Sequence, residues 1–467
     1  MLKIIKAYEA KLKLEIILLI LNSLLLGIWA VKETIALRNI LLVLGTILVV
    51  HYIRREYKSG LLKVDLNFWK NLPLVTIFLT FIWVIVHFFF FSIDPESQLQ
   101  ELKSTWLRAF FATIVGFGCG LILIRYPNRF YILWMGIFFS FLFLFYQYIP
   151  RAIAQQKLLV PDYSNYLFHL KINTVLMGSI LIAGTSGNLF DYLSSIKYRI
   201  NSQKIWYFFY WSIINLIVLW SFVFIVDSRG GIGLFIALIF FWIACALILA
   251  VKRRHSFFIK IHTKFFLVGL ILFLLVAFFV VAQMKLNTGW KSLYDDLIIA
   301  VQIDKYQNWK NLERPYPINS SGQTVNASNY ERIALATAGA NAILHYPIGV
   351  GLLANPFSLL PNAPEKMLVG HKVATHSGWI ELGLAFGMPI LALVFVALIT
   401  TFAIVARADY VNKMVILNLI VLITFLYTVG EAAIDHGLEL LFYFLALTSS
   451  VPFFMSKNKR SEQTYPA

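Results

Sequence analysis

Thr375-His376-Ser377-Gly378-Trp379-Ile380-Glu381-Leu382-Gly383 stands on a boundary in this chain. It belongs to the end of a mostly polar stretch, from about Met284 to Ala385, that interrupts a sequence otherwise built of apolar runs. Working outward, runs of about 18–23 apolar residues, the length that crosses a bilayer core, fall near 14–31, 35–53, 71–93, 105–124, 130–148, 170–190, 205–226, 231–251, 265–283, 386–406, 412–429 and 435–455. The chain is 60% hydrophobic and only 13% charged, against about 25% charged in soluble domains. These features predict an all-α polytopic membrane protein of about twelve transmembrane helices with one large, partly helical loop. The expected division is an N-terminal bundle of about nine helices over 1–283, the loop over 284–385, and about three helices with a tail over 386–467.

Charge gives the expected orientation. If the N-terminus lies inside and the spans alternate, the inside segments hold 24 of the 40 Lys and Arg residues and few carboxylates, so nearly all of the net charge of +17 gathers on one side. Basic residues accumulate on the cytoplasmic side of membrane proteins, so both termini are expected there and the large loop outside. The same asymmetry, with anionic lipid as the counterpart, accounts for the high isoelectric point without a nucleic-acid partner. Lys3, Lys6, Lys11 and Lys13 alternate with apolar residues and read as an interfacial helix leading into an uncleaved anchor. Cys119 and Cys245 fall inside spans and suggest neither a disulfide nor a metal site.

Within the loop, Ser328 and Glu331 have the spacing of a capping box and open a helix that Pro347 stops; a second helix is expected from near Thr375 or Ser377 towards Pro389. If Thr375 caps it, His376 lies in the first turn, where the helix dipole disfavours imidazolium and leaves the neutral ring that a general base needs. The bland alternative is an interfacial histidine bonded to a carbonyl. His345 and His371 compete on the same loop, while His51 and His87 read as packed polar residues of spans. Arg229, in the short turn Asp227-Ser228-Arg229-Gly230-Gly231, runs against the charge bias of its side. It is either a snorkelling arginine paired to Asp227 or a fixed cation for an anionic headgroup. Arg332, expected in the first turn of its helix, is either a solvated surface residue or part of an anion site. Glu381, five residues after His376, could orient the histidine; Asp435 and His436 could line the same cavity; Asp295 and Asp296 read as a solvated pair. No Walker loop, dinucleotide fingerprint, HExxH or His/Cys metal spacing is present.

Three blocks, in this order, resemble the O-antigen ligase family, within the group that also holds O-antigen polymerases and bacterial protein O-oligosaccharyltransferases. They are Ser228-Arg229-Gly230; Arg332 followed by His345-Tyr346-Pro347-Ile348-Gly349-Val350-Gly351; and His376-Ser377-Gly378-Trp379-Ile380-Glu381-Leu382-Gly383 with Gly387. Members often carry Asn after the histidine, where this chain has Ser377. The resemblance implies a membrane-embedded, GT-C-like, inverting glycosyltransferase of the bacterial inner membrane with a periplasmic active site, no metal and no cofactor. Its donor would be a glycan on undecaprenyl pyrophosphate and its acceptor a hydroxyl of lipid A–core oligosaccharide. His376 would be the base, Arg229 and Arg332 would bind the pyrophosphate, and Glu381 and Asp227 would support them. A polymerase or a protein oligosaccharyltransferase would use the same donor and base. A lipid-linked glycan transporter is the reading from another class, and it would place its unusual residues at mid-membrane.

Overall fold

A computed structural model describes residues 2–60, 67–161, 165–168, 170–194, 202–252, 263–310, 314–360, 374–408, 410, 412–432 and 436–454. Among them the chain is helical and forms no strand; one antiparallel bridge joins Ile318 to Thr324. In chain order the helices are α1 (Leu2–Ile28), α2 (Ile35–Lys58), α3 (Phe68–Phe90), α4 (Pro95–Glu101), α5 (Leu107–Arg125), α6 (Phe130–Gln155), α7 (Lys171–Ser194), α8 (Ser202–Trp220), α9 (Arg229–Lys252), α10 (Thr263–Leu286), α11 (Leu293–Ala300), α12 (Ala327–His345), α13 (Gly378–Arg407), α14 (Lys413–Val429) and α15 (Gly437–Phe454). A helix stands at each position where an apolar run predicts a span. Among the described residues seven helices are long and apolar enough to cross a membrane, and shorter apolar helices, Leu14–Ile28, Arg229–Cys245, Val276–Leu286, Lys413–Val429 and Gly437–Phe453, occupy the remaining positions. The chain is an all-α, multi-pass membrane protein. In hydrocarbon every main-chain polar group must find its partner within the protein, and a helix does this within one segment.

Small residues set the closest approaches, as expected where lipid competes equally for apolar side chains. Helix α5 lies against α15 so tightly that a Cβ on Gly116 would fall 2.2 Å from the Tyr443 carbonyl oxygen, and one on Gly120 would fall 2.0 Å from the Ser450 hydroxyl. The loop between α10 and α13 has its own small core, in which Trp309, Val325, Tyr330, Leu335 and Phe357 pack with Leu384 of α13. The eight-residue α11 was not foreseen from sequence.

Helix α13 joins this loop to the bundle. It is broken at Gly387, whose φ of 75° and ψ of −169° leave the helical region, and Pro389 follows. The break frees carbonyls, and other segments take them. Val350 N donates to Leu384 O (2.8 Å), Gly351 N to Ala385 O (2.7 Å) and Trp83 Nε1 to Phe386 O (2.8 Å), while Met388 N donates to Pro347 O (2.8 Å). Gly349 and Gly351 have φ of +94° and +93°. The Pro347-Ile348-Gly349-Val350-Gly351 motif is therefore a plug for a discontinuous helix, tolerable at membrane depth because protein covers it. A Cβ on Gly387 would lie 2.2 Å from the Pro347 carbonyl oxygen, in a backbone region costing about 1–3 kcal/mol for other residues. Gly387→Ala is expected to lower the midpoint of thermal unfolding in detergent; an unchanged midpoint would contradict the close approach.

Candidate active site

Two short turns, far apart in sequence, are fastened together where α13 begins and α14 ends. Helix α13 starts at Gly378 with Ser377 at its N-cap. Thr375 closes the preceding turn: its hydroxyl donates to Ser377 O (2.9 Å) and accepts from Ser377 N (3.3 Å). Gly378 N donates to Gly430 O (2.6 Å), the Ser377 hydroxyl to Tyr427 O (3.3 Å), and Ala432 N to Glu381 Oε2 (2.7 Å). His376 therefore precedes the helix instead of occupying its first turn. Its φ is +56°, a left-handed conformation uncommon outside glycine and worth attention in a polar cleft. Its Nδ1 lies 2.5 Å from Glu431 Oε1. The ring is 32% exposed and the Glu431 side chain 11%, so the pair is sheltered while the ring keeps an open edge.

Glu381 does not reach the histidine. It is 1% exposed and its carboxylate holds the main chain at Ala432. The carboxylate on His376 is Glu431, which sequence reasoning missed although it follows Gly430 at the end of an apolar span.

The cations gather at the opposite side of the same face. Arg229 is the first residue of α9, and its Nη1 donates to Asn329 Oδ1 on α12. Asn329 is held in turn: its Nδ2 donates to Asp296 Oδ2 (2.7 Å) and to Gly289 O (2.9 Å). Asp296 is fully buried and also accepts from the Ser292 hydroxyl (2.7 Å), so it is not half of a solvated pair. Gly289 permits the arrangement, since a Cβ there would sit 2.1 Å from Arg229 Nη1. Asp227 does not form the expected close pair with Arg229. Its carboxylate accepts from Gln283 Nε2 (2.7 Å) and Asn287 Nδ2 (3.1 and 3.2 Å), and its carbonyl accepts from Lys171 Nζ (2.7 Å). Lys171, Arg229 and Arg332 lie close enough to repel one another electrostatically, with Asp227 as a compensating charge. Lys171 was overlooked, although a cation on this face departs from the charge bias just as Arg229 does.

Asn326 caps α12, its side chain accepting from Asn329 N at 3.2 Å, so Ser328 is already inside the helix and Arg332 falls in the second turn, not the first. Arg332 is exposed and makes no hydrogen bond among the described residues. Beside it the Tyr316 hydroxyl donates to Glu331; burial first, and then that carboxylate, push the Tyr316 hydroxyl up to about 12, keeping it neutral.

A small hollow lies between the start of α7 and the end of α14. Ile172, Asn173 and Leu176, following Lys171 on α7, face Leu426, Tyr427 and Glu431 across it. The structure thus brings Arg229, Arg332 and Lys171 together and His376 and Glu431 together, and the residues that follow Lys171 on α7 face Glu431 across this hollow. The other histidines among the described residues lie elsewhere or do other work. His345 Nδ1 bonds Asn341 O (2.9 Å) at the end of α12, His87 is buried against Gln98 (3.3 Å), and His51 is exposed on α2 instead of packed. His436 bonds the buried Glu439 carboxylate (2.9 Å), which also accepts from Arg108 Nε. His371 and Asp435 lie outside the described residues.

Residues 214–395 match the Wzy_C family, described as O-antigen ligase. A comparison with curated proteins found no match. The matched stretch runs from within α8 into α13 and holds Arg229, Arg332 and His376, whereas Lys171 and Glu431 fall outside it. The family gathers glycosyltransferase-like ligases and polymerases of O-antigen that work on lipid-linked glycans in membranes. Over residues 214–395, this chain is thus similar to the O-antigen ligase family.

Proposed function

We propose that the protein transfers O-antigen polysaccharide from undecaprenyl pyrophosphate to a hydroxyl of lipid A–core oligosaccharide, at the periplasmic face of the bacterial inner membrane. The observation that carries this reading is a group of three cations, Lys171, Arg229 and Arg332, at the start of α7, whose next residues face the Glu431 that holds a partly exposed histidine. The donor diphosphate lies against Arg229, Arg332 and Lys171. Arg229 is preorganised by Asn329, and fixed donors aimed at developing charge cost no reorganisation during reaction. Arg332 has its hydrogen-bonding capacity free for phosphate oxygens. The acceptor hydroxyl is placed at His376. As its oxygen forms a bond to the anomeric carbon, the bond from that carbon to the phosphate oxygen breaks. The electron pair leaves on the diphosphate, and the hydroxyl proton passes to the imidazole. Attack from the face opposite the diphosphate inverts the anomeric centre. The charge asymmetry of the sequence supports a periplasmic site with both termini cytoplasmic.

The test is deletion of the chromosomal copy followed by lipopolysaccharide electrophoresis. The expected result is loss of all long chains, with free lipid-linked polymer accumulating. A cap of one repeat unit would instead mean a polymerase, and an intact ladder with unglycosylated periplasmic protein would mean a protein oligosaccharyltransferase. A finer check concerns Gly289: Gly289→Ala crowds the Arg229 guanidinium and is expected to weaken donor binding in a titration with lipid-linked oligosaccharide, while acceptor KM stays unchanged.

A further inference from the structure

We infer that Glu431 is the positioning residue that makes His376 a base: it fixes the imidazole tautomer, so that Nδ1 carries the proton and Nε2 presents its lone pair to the acceptor hydroxyl. This deepens the proposed function and holds only if His376 is the base. Glu431 Oε1 lies 2.5 Å from His376 Nδ1, and an ionised carboxylate, which has lone pairs and no proton, favours the proton on the ring nitrogen it approaches. A histidine held this way is directed by the bond its other nitrogen makes. The geometry is imposed from both sides. The left-handed backbone of His376 and the Thr375 turn aim the ring out of the helix line. Gly378 N on Gly430 O, with Ala432 N on Glu381, brackets Glu431 on both flanks in sequence. Glu381 therefore acts at one remove, by fixing the strand of chain that carries Glu431. When Nε2 takes the acceptor proton, the imidazolium forms beside a sheltered carboxylate, as in a Ser-His-Asp triad on an unrelated fold.

The experiment uses the full-length protein in nanodiscs with an undecaprenyl-pyrophosphate-linked oligosaccharide and lipid A–core. Glu431→Gln is expected to lower kcat at least about tenfold, with the ~10⁴-fold of a triad aspartate as upper bound, while donor KM stays within about twofold. Glu431→Asp restores part of kcat. Independently of turnover, the nitrogen-15 resonances of His376, identified by their loss in His376→Ala, are expected to report an Nδ1-protonated ring that changes in Glu431→Gln. An inactive His376→Ala beside a Glu431→Gln with wild-type kcat and unchanged resonances would overturn this inference alone. An active His376→Ala would overturn the base assignment and this inference with it. Equal losses of kcat in Glu431→Gln and Glu431→Asp with unaltered His376 resonances would reduce Glu431 to a packing role and also overturn it.

Discussion

Replacing His376 with alanine is expected to lower transfer by about 10²–10⁴-fold, the contribution of a positioned general base. The loss should fall on kcat, because the ring removes a proton in the transition state and is not needed to hold the donor in the ground state. The backbone supports a clean experiment: His376 sits ahead of the N-cap, and the bonds that fasten its turn run from Thr375, Ser377 and Gly378, not from its ring. Alanine at φ +56° costs some strain, so expression and thermal midpoint must be measured beside activity. Transfer at the wild-type rate with purified components would remove the base assignment.

Arg229→Ala is expected to be the other severe variant. Removing one preorganised donor to developing charge costs about 10²–10³-fold in kcat in well-studied sites. Arg229→Lys should recover little, because an ammonium lacks the planar fork that reaches Asn329 and the diphosphate together. Arg332→Ala should behave differently: with no hydrogen-bond partner among the described residues to orient it, its contribution is expected mainly in donor affinity. Titration with lipid-linked donor separates the two. Unaltered donor affinity and kcat in both variants would argue against a diphosphate at this site.

The membrane architecture was legible because bilayer thickness sets a length that composition must satisfy, and each of the apolar runs carries a helix. Helix α12 was legible from its apolar spacing, but its start was displaced because Ser328 offered a familiar pattern while Asn326, two residues earlier, makes the bond. That displacement of two residues put Arg332 in the second turn of the helix. Glu381 is near His376 in sequence, but His376 lies ahead of the helix with a left-handed backbone, and the Glu381 carboxylate turns instead to the main chain at Ala432. The partners that matter are long-range. Asn329 meets Arg229 across 100 residues, and Glu431 meets His376 from the far end of another helix pair; neither pairing leaves a local pattern. Lys171 alone among the missed residues had a usable signal, a positive charge on the face otherwise poor in them.

The extramembrane segment grips the bundle at several points, two of which bear on the site. Asn329 holds the guanidinium on α9, and the Pro347–Gly351 plug shares main-chain bonds with α13 beside its break. The segment is thus a keystone: unseating it would release Arg229 from its orientation and uncover amides and carbonyls at Gly387 in one movement. The seating of this segment and the aim of the Arg229 guanidinium are consequently a single quantity.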